Sequence, residues 1–279
     1  MAKFNEGKSL DAVLKILEAR HGGTRSGLIR DTPGNRGIEL VCMVGDRRFA
    51  LEHTIIEPFE DNQRDNIAFE RVFDDAVEGD VAQLLKPYLA YTATVDVYAF
   101  DEKHRKDLVA IRQDLLNWIR GSIPHLPEPT TFAETALYGE PPATPVRIKL
   151  ACHRSNGLGG RLIAQRFAPP DLEQLRDKRL LKALHDKGPK LRAAKTAGTT
   201  TILILENIDI ALTNESVVSD AIDRLGRDLP YMPDDIYLVG TYIPSRFYVT
   251  QVRVEGRACV AMGTPAKPWD LAADDLAEI

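Results

Sequence analysis

Cysteine is scarce in this chain: three among 279 residues, Cys42, Cys152 and Cys259, far apart and with no C-x-x-C pair. That spacing argues against a zinc ribbon, and an odd, sparse count suits a reducing compartment. Cys42 and Cys152 sit in apolar, strand-like runs, where thiols are buried and inert. No apolar run approaches the roughly 20 residues a membrane span needs. The start, Met1-Ala2-Lys3-Phe4-Asn5-Glu6, lacks the apolar stretch of a signal peptide. The expectation is therefore a cytoplasmic protein. Also missing are G-x-S-x-G and H-E-x-x-H, so serine-hydrolase and metalloprotease readings lose their usual carriers. Gly157-Leu158-Gly159-Gly160 is no phosphate loop, because it lacks the G-K-[ST] ending and the strand-to-helix setting. No internal repeat is visible.

What is present is an ordinary globular composition, 44% hydrophobic and 28% charged, long enough for one large domain or two modest ones. The net charge of −5 does not suggest a generic nucleic-acid binder, but the distribution is uneven. Val146–Lys195 carries 13 Lys/Arg against 4 Asp/Glu, a net of +9, which leaves −14 for the remainder. Ile56–Asp80 carries 9 acids against 2 bases. This asymmetry suggests a basic face for a polyanion on an acidic body, with Lys178, Arg179, Lys182 and Lys195 as candidate phosphate contacts. The alternative is a solvated helix face matched by an acidic neighbour.

Leu10, Val13, Leu14 and Leu17 follow helical spacing, which predicts an amphipathic helix from Ser9, as its cap, to about Arg20, stopped by Gly22-Gly23. A loop with Thr32-Pro33-Gly34 follows. Ile38–Val44 and Arg48–Ile55 are β-rich runs around a Gly45-Asp46 turn signal, and so predict a hairpin. One or two helices are expected between Asp61 and Leu89, a strand over Thr92–Ala99 and a helix over Asp107–Arg120. Six prolines between Pro124 and Pro145 predict irregular connector. Val146–Cys152 alternates as a strand. Asp171 caps a helix expected to end near Lys187, before Gly188-Pro189. Thr200–Glu206 is a continuous apolar run, hence a central strand covered on both faces. A helix over Glu215–Leu225, a strand over Ile236–Gly240 and a late hairpin (Phe247–Val254, Arg257–Met262) complete the pattern. The fold class expected is α/β, a mixed central sheet with flanking helices. The expected division is a core of residues 1–57 and 146–262, an insertion of 58–145, and a C-terminal tail of 263–279, acidic over Asp270–Ile279.

The chemistry sits in the first hairpin. Glu39 and Glu52 are carboxylates in otherwise apolar strands, a placement that costs several kcal/mol unless each is paired, protonated or metal-bound. Folding about Gly45-Asp46 sets position 39 opposite about 52, because each lies six residues from the turn, so the two can share one cross-strand site. Side-chain alternation puts Thr54 on the face of Glu52 and points His53 away. A carboxylate pair suits Mg²⁺, a hard cation that takes oxygen ligands and keeps several waters. Such an ion can polarise a phosphate and activate water.

The stretch GIELVCMVGDRRFALEHT, residues 37–54, preceded by an amphipathic helix, resembles the PD-(D/E)XK nuclease superfamily. The resemblance covers about Ser9–Ile55 and Val146–Gly240. It implies a restriction-endonuclease-like core, a metal-dependent nuclease that hydrolyses phosphodiester bonds in nucleic acid, and Mg²⁺ or Mn²⁺ held by Glu39 and Glu52. Defence or DNA processing is the expected setting. The superfamily's lysine, which orients or activates the attacking water, has no counterpart here, because Thr54 stands in its position. Lys187 is the expected replacement, since it continues the inward stripe Leu180, Ala183, Leu184 of its helix; Lys190 is the second candidate.

Each assignment has an alternative. Glu39 and Glu52 can face water on an edge hairpin. Lys187 can lie along the end of its helix with its ammonium in solvent. Glu18 can be exposed rather than metal-directed, Glu206 can open a loop rather than line a site, and His53 can simply be packed or exposed. The second functional reading is a non-catalytic module of the same fold that binds nucleic acid, a protein partner or a second copy of itself.

Overall fold

A computed structural model describes residues 5–30, 37–57, 59–73, 79–101, 103–130, 133–155, 159–167, 169–208, 215–243, 245–259 and 268–279. Thr32-Pro33-Gly34, Gly157-Leu158, Asp209 and Met262 lie outside these. The chain forms two compact units, Met1–Glu60 with Asp171–Ile279, and Asp61–Pro170. Among the described residues no helix is long and apolar enough to cross a membrane.

The first unit is mixed α/β. It contains α1 (Glu6–His21), β1 (Arg25–Arg30), β2 (Leu40–Val44) and β3 (Arg47–Ile56). Its sheet order is β1-β2-β3-β8-β9-β10-β11, with β8 (Thr199–Asn207), β9 (Asp235–Ile243), β10 (Arg246–Val254) and β11 (Arg257–Ala258). β1, β2 and β3 run antiparallel, β3, β8 and β9 parallel, and β10 returns antiparallel to β9. The Gly45-Asp46 turn is as expected: Gly45 takes φ +59°, which only glycine adopts without strain, and Val44 pairs with Arg47.

β8 is the central strand. Ile202 and Ile204 join Leu10, Leu14 and Leu17 of α1 on one face, while Leu203 and Leu205 pack with Leu180, Leu184 and Ile222 on the other. The helices on that second face are the crossovers between parallel strands: Leu172–Ala194 precedes β8, and Glu215–Gly226 lies between β8 and β9. The first of these continues through Pro189, contrary to the expected stop near Lys187. Proline removes one helical hydrogen bond, at a cost of about 3 kcal/mol. Burial of Gly188 and Leu191 against the sheet side continues the apolar stripe past it and holds the helix together.

The second unit holds α2 (Asn62–Val72), β4 (Leu89–Val95), α3 (Arg105–Ser122), β5 (Thr135–Gly139), β6 (Ile148–Arg154) and β7 (Arg161–Arg166), with sheet order β5-β6-β4-β7. Its core gathers Leu89, Ala93, Leu115, Ile119, Ile148 and Leu150. Three expectations are corrected here. Strand 146–152 does not resume the first unit: β6 pairs with β4 and β5, so the inserted unit runs to Pro170 rather than 145. The proline-rich segment contains a strand, β5. Residues 268–279 are not a tail. Trp269–Ala272, now β12, pairs with β10, and the Ala277 amide donates to Asp11 on α1 at 2.8 Å. The crossover helix Leu172–Ala194 is α4 and Glu215–Gly226 is α5.

Candidate active site

Sequence places Glu52 in the middle of β3, and the register carries Glu39 to it. Leu40 pairs with Leu51, so Glu39, one residue before β2, lies across from Glu52. The Glu39 amide donates to Glu52 Oε1 at 3.0 Å, and the His53 amide donates to Glu39 Oε2. Two backbone donors thus hold two carboxylates against each other. Glu52 is fully buried, while the Glu39 side chain keeps 21% of its exposure, so the site opens on the Glu39 side.

The inward stripe of α4 brings the cations. Lys187 Nζ donates to Glu39 Oε1 at 2.7 Å and to Glu52 Oε2 at 2.8 Å. Lys190, one turn on, stands 3.5 Å from Glu52 Oε1. The alternatives of a solvent-directed lysine and two solvated acids do not occur. Two carboxylates and two ammonium groups make a neutral cluster. Burial pushes the Glu52 carboxyl above its ordinary range, the nearby Glu39 charge adds to that, and Lys187 only partly opposes it. Burial also acts to lower Lys187, but its hydrogen bonds to both carboxylates outweigh that and hold its ammonium above the usual 10.5.

The donor set is two carboxylates of hard oxygen, which fits Mg²⁺ or Mn²⁺ completed by water and substrate oxygens. Among the described residues no group of three or more His, Cys, Asp or Glu side chains is placed to hold a metal. Lys187 contacts one oxygen of each acid, so a divalent ion taking those oxygens requires Lys187 to swing aside. Thr54 lies on the Glu52 face of β3, as the alternation predicted, and brings no charge.

The remaining predicted residues separate. Lys178 and Lys182 are exposed on the outer side of α4, with His185. Arg179 instead pairs with Glu57 at 2.9 Å and Lys195 with Asp234 at 2.5 Å. The basic segment is divided between the two units, and Arg166 pairs with Asp65 within the second. Glu18 is engaged by Arg25 through the amide, Nε and Nη2, and is not directed to the carboxylate pair.

The opposite face of the sheet holds a polar cluster that the sequence did not reveal. His53 Nε2 lies 2.9 Å from Glu206 Oε2; Ser9 Oγ donates to the same oxygen at 3.2 Å and Thr241 Oγ1 to Oε1 at 2.9 Å. His53 and Glu206 are buried, so Glu206 opens no loop, and Ser9 serves this cluster rather than capping α1, which begins at Glu6 after Asn5. The alternation at His53 predicted its face, but its partners come from three distant elements. Comparison with protein-family models, curated proteins and solved structures gives no match.

Proposed function

We propose that this protein is a metal-dependent, nuclease-like phosphodiesterase of restriction-endonuclease-like type, acting on nucleic acid at Glu39, Glu52 and Lys187. One observation carries the reading: two carboxylates from a hairpin are bridged by a lysine from the following crossover helix, so the cation that Thr54 does not supply arrives from α4. The helix, antiparallel hairpin, crossover helix and parallel strand around the pair support the same reading.

Glu39 and Glu52 would hold Mg²⁺ or Mn²⁺, which when bound supplies charge stabilisation at a phosphate and lowers the pKa of water. Hydrolysis adds the water's hydroxyl to phosphorus, breaks one P–O bond and returns a proton to the leaving oxygen. Lys187, once displaced from the carboxylates, would orient the water or a phosphate oxygen, and Lys190 would add positive charge beside it. The test is incubation with single- and double-stranded DNA and RNA in Mg²⁺ or Mn²⁺. Glu52→Gln is expected to lower cleavage by more than the roughly 10–100-fold that loss of an outer-shell partner costs. Cleavage unchanged by Glu52→Gln would sink the reading.

A second reading has its own observation. Lys187 and Lys190 together already neutralise both acids, as a structural ion-pair cluster in a non-catalytic binding module would require. Metal titration separates the two: Mn²⁺ bound through Glu39 and Glu52 supports the enzyme, and its absence supports the module.

A further inference from the structure

Beside the carboxylates runs a groove of about 380 Å³ between the hairpin and the C-terminal turns of α4. We propose that it takes one nucleotide of a single-stranded nucleic acid, with Arg48 binding the phosphate next along the strand from the one that a metal on Glu39 and Glu52 would engage. The inference rests on the nuclease-like reading, whose site the groove adjoins, and adds to it a strand preference and a positioning residue.

Size and position carry the argument. The volume lies at the lower end of small-ligand sites, roughly 300–1,000 Å³, and suits a single nucleotide. Its walls are α4 and the β2–β3 hairpin, and α4 packs directly on β3, so a duplex has no route between them, whereas an unstacked base has. Val41 and Ala50, a cross-strand pair, form its floor with Ile38, an apolar surface for a base or sugar. Cations stand at both ends. Lys190 lines the groove and reaches Glu52 at 3.5 Å. Arg48 projects from the same face of β3, four residues before Glu52, roughly 13 Å along the strand at about 3.3 Å per residue. Arg48 is exposed and, among the described residues, has no ion-pair partner. At the far end Thr196 and Thr199 share a hydrogen bond of 2.7 Å, and their hydroxyls keep that end polar.

The experiment measures binding by fluorescence anisotropy with a labelled 12-nucleotide single strand and the matching blunt duplex, in EDTA, for the whole chain. Arg48→Ala is expected to weaken single-strand binding about tenfold, the loss of one charge-assisted contact, and to reduce the slope of log K against log salt by about 0.7. Ala194→Trp, at the last turn of α4, fills the groove without changing charge and is expected to weaken binding similarly. Both variants should bind Mn²⁺ as the unaltered protein does. Equal affinity for single strand and duplex, or affinity unchanged in both variants, overturns the inference. If cleavage remains Mn²⁺- and Glu52-dependent in that case, the nuclease-like reading stands and only the groove assignment fails. If neither metal binding nor cleavage occurs, the reading fails, and a lost single-strand preference in EDTA still decides the groove separately.

Discussion

Glu52 is fully buried, and an unpaired charge there costs several kcal/mol. Its compensation comes from Lys187, Lys190 and the Glu39 amide, all in contact with its two oxygens. Lys187→Met should therefore destabilise the metal-free protein by about 3–5 kcal/mol in urea denaturation. The same substitution should tighten Mn²⁺ binding, because the ammonium no longer competes for the carboxylates, and saturating Mn²⁺ should restore part of the lost stability. A loss that Mn²⁺ does not touch would make the cluster purely structural. Two pH effects follow. Lys187 has its pKa raised on folding, so its contribution is fully present below about pH 10.5 and fades as pH rises through the higher folded value. Urea titrations at pH 9 and 11.5 should show this loss in the unaltered protein and less of it in Lys187→Met. Glu52 must be ionised to hold a metal and burial raises its pKa, so Mn²⁺ affinity should begin to fall at a higher pH than for an ordinary carboxylate as the solution is acidified. The carboxylate pair was legible in the sequence because a two-residue turn fixes register by counting. Lys187 was legible because it continues an apolar stripe. The His53–Glu206 cluster was not, because Ser9, Glu206 and Thr241 meet only through sheet order, which local periodicity does not encode.

Among the elements, β8 and α4 position the site. β8 presents apolar side chains to both faces, and its run of Ile and Leu announced a covered central strand. Leu203 packs with Leu180 and Leu184 of α4, so Leu203→Ala should cost about 2–5 kcal/mol. It should also loosen α4 over the carboxylates, read as faster hydrogen exchange in residues 180–194. Exposed Val109, replaced by alanine, should change stability by no more than about 0.5 kcal/mol. The sequence misled at Pro189, where the local cost of proline is real but buried Gly188 and Leu191 carry the packed stripe of α4 past it. It misled similarly at the C-terminus, where Trp269–Ala272 finds a strand edge on β10 that an acidic composition did not suggest.

Across the whole molecule the chain is built on separate cores, with the first unit interrupted between Glu60 and Asp171. Strand 148–154 is recognisable from its alternation, but a strand's pattern does not name its sheet, so sequence alone ends the insertion at 145 where the structure ends it at Pro170. Separate cores predict two calorimetric transitions. Leu150→Ala should lower one of them and Leu203→Ala the other; a single transition lowered by both would show that the units unfold as one.

The most direct measurement is Mn²⁺ titration followed by the electron paramagnetic resonance signal of the free ion, at neutral pH, on the unaltered protein, Glu39→Gln and Glu52→Gln. The nuclease-like reading predicts one saturable site in the unaltered protein that either substitution removes. No saturable site, or a site that survives both substitutions, would contradict it.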